Sequence, residues 1–233
     1  MNDLDIGFVL SVSAYREHDA MILFLGEEKG MLRFVLPGYY KENSKQGALG
    51  LEYSKVRYRF RYRKDALLRI QTGELIDSYY QHRFDFDWLV YASLLSELCI
   101  RFYDEDHNHI WFNWFDVYLR DPSKPYLVTI LVTIIKQMGY EPYVDGCVIT
   151  HQAHVSDFSI EKGGFVSIEY RSLTSKIDLE TLKLIRYIFK AETIDMNTLK
   201  ESSKLDNLIE ILIEYLQYHA DMKFNSWKLI SSV

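Results

Sequence analysis

The densest chemistry in the chain is cationic. In Lys55-Val56-Arg57-Tyr58-Arg59-Phe60-Arg61-Tyr62-Arg63 every second residue is basic and every intervening one is apolar or aromatic. Period-two alternation belongs to a β-strand and sends the two sets to opposite faces. Val56, Tyr58, Phe60 and Tyr62 can pack into a core. Lys55, Arg57, Arg59, Arg61 and Arg63 cannot, because burying an unpaired cation costs several kcal/mol or more. Like charges spaced about 6–7 Å along a strand repel one another, so stability alone gives no reason to collect them. Phosphates spaced along a nucleic-acid strand do, and the arginine fork suits phosphate. The competing reading is a solvated edge strand whose cations block pairing, with Glu52 or Glu74 as cross-strand neutralisers. The loop just before, Tyr39 to Gly47, adds Lys41, Lys45 and the adjacent Tyr39 and Tyr40. Aromatic loop residues beside a binding face can stack on bases, or they can simply pack on the body of the domain.

Other reactive groups converge less well. Cys147, His151 and His154 invite a zinc reading that Asp157 would complete, but the spacing matches no structural site. Asp104-Glu105-Asp106 reads as a solvated loop, since adjacent side chains do not point to one spot. A Cys147–His151 nucleophile pair has no support beyond proximity. No phosphate-binding glycine loop and no Gly-x-Ser-x-Gly elbow occurs. No catalytic centre and no cofactor are expected. The aromatic stripe Trp111, Phe112, Trp114, Phe115 and Tyr118 reads as a core-facing helix, with a partner groove as the alternative.

The elements that position these groups follow from pattern. The chain has 233 residues, 48% hydrophobic, and a formal net charge of −6. An acidic total argues against a simple polyanion binder, but residues 41–69 alone hold nine basic and three acidic side chains. The positive charge is a patch. Ile6–Val12, Ala20–Leu25, Met31–Leu36, Lys55–Arg63 and Leu67–Ile76 read as strands, broken by Glu27–Gly30, Pro37-Gly38 and an interruption at Gly73. Five short strands in 80 residues predict a small barrel. Helical spacing then takes over: Asp87 as a cap for a helix to Phe102, Ile110–Leu119, Pro125 to Gly139, Asp178 to Phe189, and Asp206–Asp221. Gly163-Gly164 suggests a hairpin turn within an irregular stretch, 141–171. The apolar run Tyr126–Ile135 is too short to span a bilayer. The first six residues lack the apolar core of a secretory leader. Cys99 and Cys147 are therefore expected as reduced thiols in the cytoplasm.

In order and spacing the chain resembles the RecO family of bacterial recombination mediators. The resemblance is carried by Gly7–Leu10, Tyr15–Asp19, Gly26–Gly30, Pro37-Gly38 with its following loop, Tyr91–Leu98, Met138–Pro142, and Tyr215–His219 with Ser226 and Leu229. It implies an α+β chain: an OB-fold β-barrel over 1–80, then a mostly helical domain over 81–233. That domain would hold a degenerate zinc-finger-like module at about 141–173. Cys147 keeps one ligand position, while Thr150, Ser167 and Tyr170 stand where cysteines would be, so a module without metal is expected. Tyr39 and Tyr40 replace common arginines. The resemblance implies a non-enzymatic protein that binds single- and double-stranded DNA and anneals complementary strands. Implied partners are RecR and the acidic tail of single-stranded DNA-binding protein, with help in loading RecA and a place at the nucleoid. No membrane partner is expected. Two rivals remain at this point: a protein-interaction adaptor without DNA affinity, and a nuclease or hydrolase using Asp104–Asp106 or Cys147/His151.

Overall fold

The computed structural model describes residues 3–64, 66–173 and 177–228. Five strands form first: β1 (Asp3–Tyr15), β2 (Asp19–Gly26), β3 (Gly30–Leu36), β4 (Lys55–Phe60) and β5 (Leu68–Asp77). They close into a barrel in the order β1-β2-β3-β5-β4, with β4 returning to β1. All neighbours are antiparallel except β3 and β5, which pair in parallel at Phe34–Leu68 and Val35–Arg69. This is the expected OB-type barrel. β4 is paired on both sides, with β1 and with β5, which disposes of the edge-strand reading for Lys55–Phe60.

The barrel interior is aromatic. Phe24, Phe34, Tyr58 and Phe60 are fully buried, with ring centroids 5.0 Å apart for Phe24–Tyr58 and 4.8 Å for Phe34–Phe60. Gly73 is a packing requirement. It lies opposite Tyr58, and a Cβ there would come within 3.0 Å of Leu49 and 3.1 Å of the Tyr58 ring. The short 3-10 turn Gly47–Gly50 can therefore settle on β5.

Two helices continue this unit: α1 (Phe86–Phe102) and α2 (Asn108–Arg120). The cap of α1 is Asp85 rather than the expected Asp87; its carboxylate accepts the amides of Asp87 (2.9 Å) and Trp88 (3.3 Å). The aromatic stripe of α2 faces inward. Trp111, Trp114, Phe115 and Tyr118 are buried, and Phe112 and Phe115 pack on Phe8 of β1. Asp104 caps the turn before α2, accepting from the Asp106 amide (3.1 Å) and pairing with His107 (2.9 Å). The Asp104–Asp106 run is thus a helix-start device.

The second unit begins with α3 (Lys124–Gln137), with Pro125 in its first turn. A short hairpin follows, β6 (Asp157–Ser159) and β7 (Gly164–Val166), then α4 (Leu179–Lys190), α5 (Met196–Lys200) and α6 (Leu205–His219). By contacts the chain divides into Met1–Pro122 with Asn225–Val233, and Ser123–Phe224. The C-terminal α7 (Asn225–Lys228) joins the first unit through Glu97 of α1. Glu97 accepts from the Asn225 amide (3.1 Å), the Ser226 amide (3.0 Å) and the Ser226 hydroxyl (2.8 Å). Leu229 lies outside the described residues. Among the described residues no helix is long and apolar enough to cross a membrane.

Candidate nucleic-acid interface

The alternating segment divides into three parts. Val56, Tyr58 and Phe60 fill the barrel, as their period requires. The strand then stops at Phe60, three residues short of the expected Arg63. Its ladder with β1 reaches the pair Asp3–Phe60, and the Tyr62 amide then donates to the Asp3 carboxylate at 3.0 Å. Tyr62 leaves the inward face and is 42% exposed, contrary to its expected place in the core.

The cations divide as well. Lys55 is an internal ion-pair partner. Its ammonium lies 2.6 Å from Asp116 of α2, with both side chains 22% exposed, and 5.5 and 5.4 Å from the ring centroids of Phe8 and Phe112. Arg57 pairs with Glu74, its cross-strand neighbour on β5. The other suggested neutraliser, Glu52, accepts the Val12 amide at 2.8 Å instead. Arg59, Arg61 and Arg63 are exposed and have no carboxylate within 4.0 Å among the described residues. Three of the five cations therefore remain available to an outside anion.

In the preceding loop, Lys41, Lys45 and Tyr40 are exposed, the last by 48%. Tyr39 differs. It packs against the barrel core, covers Gly50, and donates its hydroxyl to the Gly50 carbonyl at 3.3 Å. Burial raises its phenol pKa. Tyr39 props up the loop, and Tyr40 meets it edge-on at 4.8 Å.

Lys41 and Lys45 line a cleft of about 370 Å³ with Arg69 of β5. Arg69, exposed on β5, pairs with Val35 of β3 and precedes Ile70, the partner of Phe60 at the end of β4. Arg33, on β3, and Lys64 are further exposed cations of the barrel. Sequence reasoning counted Arg69 and Lys64 as charge without assigning them a role. Arg33 had no periodic signal, since it stands alone between Leu32 and Phe34.

Among the described residues the Cys147 region offers no metal centre. The Thr150 amide donates to Cys147 Sγ at 3.4 Å, and the Cys147 thiol donates to the Ser167 hydroxyl oxygen at 3.7 Å. Three of the four positions expected for the module hence do meet, but as one thiol and two neutral groups. That donor set does not suit zinc, which takes thiolate, imidazole or carboxylate. Tyr170 is 41% exposed. Asp157 is occupied by the Phe158 amide at 2.9 Å and the Ser172 amide at 3.2 Å. Among the described residues no three His, Cys, Asp or Glu side chains converge. The segment is a hydrogen-bonded hairpin, and its geometry does not define a zinc-finger-like module.

A closed OB-type barrel with a cationic outer surface, continued by a helical region, is the class of protein that the fold defines. The chain belongs to the recombination protein O family: the family's N-terminal domain matches residues 1–79 and its C-terminal domain matches 83–228. It is similar to the DNA repair protein RecO of Alkaliphilus metalliredigens, with 25% identity covering 97% of this chain and 98% of the relative. It is 21% identical to that of Oceanobacillus iheyensis (97% and 92% covered) and 23% identical to that of Bacillus subtilis (97% and 93%).

Proposed function

We propose that this protein is a mediator of DNA repair and homologous recombination that binds single- and double-stranded DNA through its barrel. The barrel, residues 1–80, would be the DNA-binding domain and 81–233 the helical domain. In this reading it anneals complementary strands and helps load a recombinase of the RecA kind onto single strands coated by single-stranded DNA-binding protein. RecR and the acidic tail of that coating protein are its partners, and it works at the nucleoid. No catalytic step is assigned to it.

The observation that carries the reading is the set of exposed cations without a carboxylate partner among the described residues: Arg59, Arg61, Arg63, Lys41 and Lys45. Tyr40, exposed beside Lys41, is the loop residue placed to stack on a base. Five phosphate contacts give a log–log salt slope of about −4 to −5 on duplex and about −3.5 on a single strand. Fluorescence anisotropy of a labelled oligonucleotide across salt concentrations tests this. Arg59→Ala/Arg61→Ala/Arg63→Ala should weaken binding and flatten the duplex slope by about 2–3.

A second reading is a repair adaptor with little DNA affinity of its own. The net charge of −6 and the internal neutralisation of Lys55 and Arg57 favour it. It requires the absence of salt-dependent DNA binding even at low salt, and that result would overturn the mediator reading.

A further inference from the structure

A groove of about 710 Å³ on the barrel unit is lined in part by residues that follow the end of β4. Its floor is apolar: Met21 and Leu23 of β2 and Met31 and Leu32 of β3 are half-buried, and Leu67 at its mouth is 48% exposed. Its rim is cationic, with Lys29, Arg33, Arg63 and Lys64 all exposed. Glu105 is the one carboxylate among its described lining residues; Asp65 lies outside the described residues. Tyr62 stands in the wall, 42% exposed, with the Lys29 ammonium 5.6 Å from its ring centroid. Of the five apolar side chains only Leu32 also packs against the barrel core; Met21, Leu23, Met31 and Leu67 are not part of it.

We propose that this groove receives the unpaired bases of single-stranded nucleic acid, and that Tyr62 makes the protein distinguish a single strand from a duplex. The inference rests on the DNA-binding reading above and assigns strand discrimination within it. In a single strand the bases are free to turn inward, stack on an aromatic ring and bury their faces on an apolar floor, while phosphates stay on the cationic rim. In a duplex the bases are already stacked and paired, so only the sugar-phosphate backbone reaches the protein and the floor gains nothing. An acidic peptide with apolar side chains is the other ligand such a groove could suit. Continuity favours the nucleic acid. Arg63 and Lys64 on the rim directly follow Arg59 and Arg61, and Leu67 and Leu68 at the other end lead into Arg69 and the Lys41/Lys45 cleft. Cations therefore flank the lining segment on both sides in the chain, Arg61 before Tyr62 and Arg69 after Leu68, charge beyond the groove that a long polyanion can use and a short peptide cannot.

The test compares a labelled oligothymidylate with a duplex of the same length on the full chain. Tyr62→Ala should weaken single-strand binding about 5- to 150-fold, equivalent to about 1–3 kcal/mol, and leave duplex binding within about twofold. Tyr62→Phe should keep wild-type discrimination. Leu67→Glu, at an exposed position, should depress single-strand binding selectively and serves if Tyr62→Ala fails to fold. Equal losses on both ligands, or no loss on the single strand, overturn the inference while leaving DNA binding by the barrel standing. Tighter binding of a labelled acidic, phenylalanine-containing peptide than of the oligonucleotide, abolished by Tyr62→Ala, overturns the choice of occupant. Failure of the wild type to bind either nucleic acid overturns the parent reading together with this one.

Discussion

Replacing Lys55 should damage the fold and spare DNA binding, although its place in the alternating row groups it with the phosphate-binding arginines. Its ammonium is 2.6 Å from Asp116, both side chains are 22% exposed, and two aromatic rings lie beneath it. An exposed ion pair is worth about 0.2–1 kcal/mol. Removing one partner of a fully buried pair costs about 3–5 kcal/mol. Lys55 falls between these limits, and Asp116 keeps Arg120 as a second cation one helical turn away, so it is not stranded. Two aromatic contacts add about 0.5–1 kcal/mol each where the cation is partly solvated. Lys55→Ala should therefore cost about 1–3 kcal/mol, or about 2–12 °C in Tm at roughly 2–4 °C per kcal/mol for a chain of this size. Lys55→Met, which keeps the apolar stem, separates charge from packing. A cycle with Asp116→Asn, read by urea denaturation, isolates the pair itself. In parallel, anisotropy titrations should find DNA affinity within about twofold of wild type. Unchanged stability accompanied by a loss of affinity equal to that of Arg59→Ala would refute the assignment and return Lys55 to the binding surface.

Three further outcomes follow from local geometry. Hydrogen bonds from Lys204 and from Thr181 hold the Asp178 carboxyl at about 2, below its ordinary 3.8. A depressed folded-state pKa means that its contribution is complete above about pH 4 and is lost as pH falls through about 2; acid titration of Asp178→Asn should lack that component and show weaker stability near neutrality. Gly30 has φ +69°, and an added Cβ would lie 2.3 Å from the Tyr103 hydroxyl, which accepts the Met31 amide. Gly30→Ala should cost at least about 1–3 kcal/mol by thermal denaturation, and a neutral result would refute the tight β2–β3 turn. Cys99 and Cys147 are both fully buried, so a thiol reagent should modify neither in the native state and both in denaturant; rapid native labelling of Cys147 would refute the packing of the hairpin segment.

Much of this protein was legible in sequence because the signals were local. Period two in Val56–Phe60 and turn residues at Glu27–Gly30 and Pro37-Gly38 marked the strands, and helical spacing with Asp178 as cap marked α4 to within a residue. The strand-to-helix order and the scattered motifs were enough to point to the family. The tertiary structure alone decided which cations are free. Lys55 is neutralised by a residue 61 positions away and Arg57 by one 17 away. Tyr62 is taken out of the core by a carboxylate 59 positions away. Alternation sets only the face on which a side chain emerges; whether that face meets water, a carboxylate or a helix depends on what closure of the barrel brings opposite it. The groove beside Tyr62 has the same origin. Its floor comes from β2 and β3 and its wall from the end of β4, and no local period connects residues that share only a folded surface.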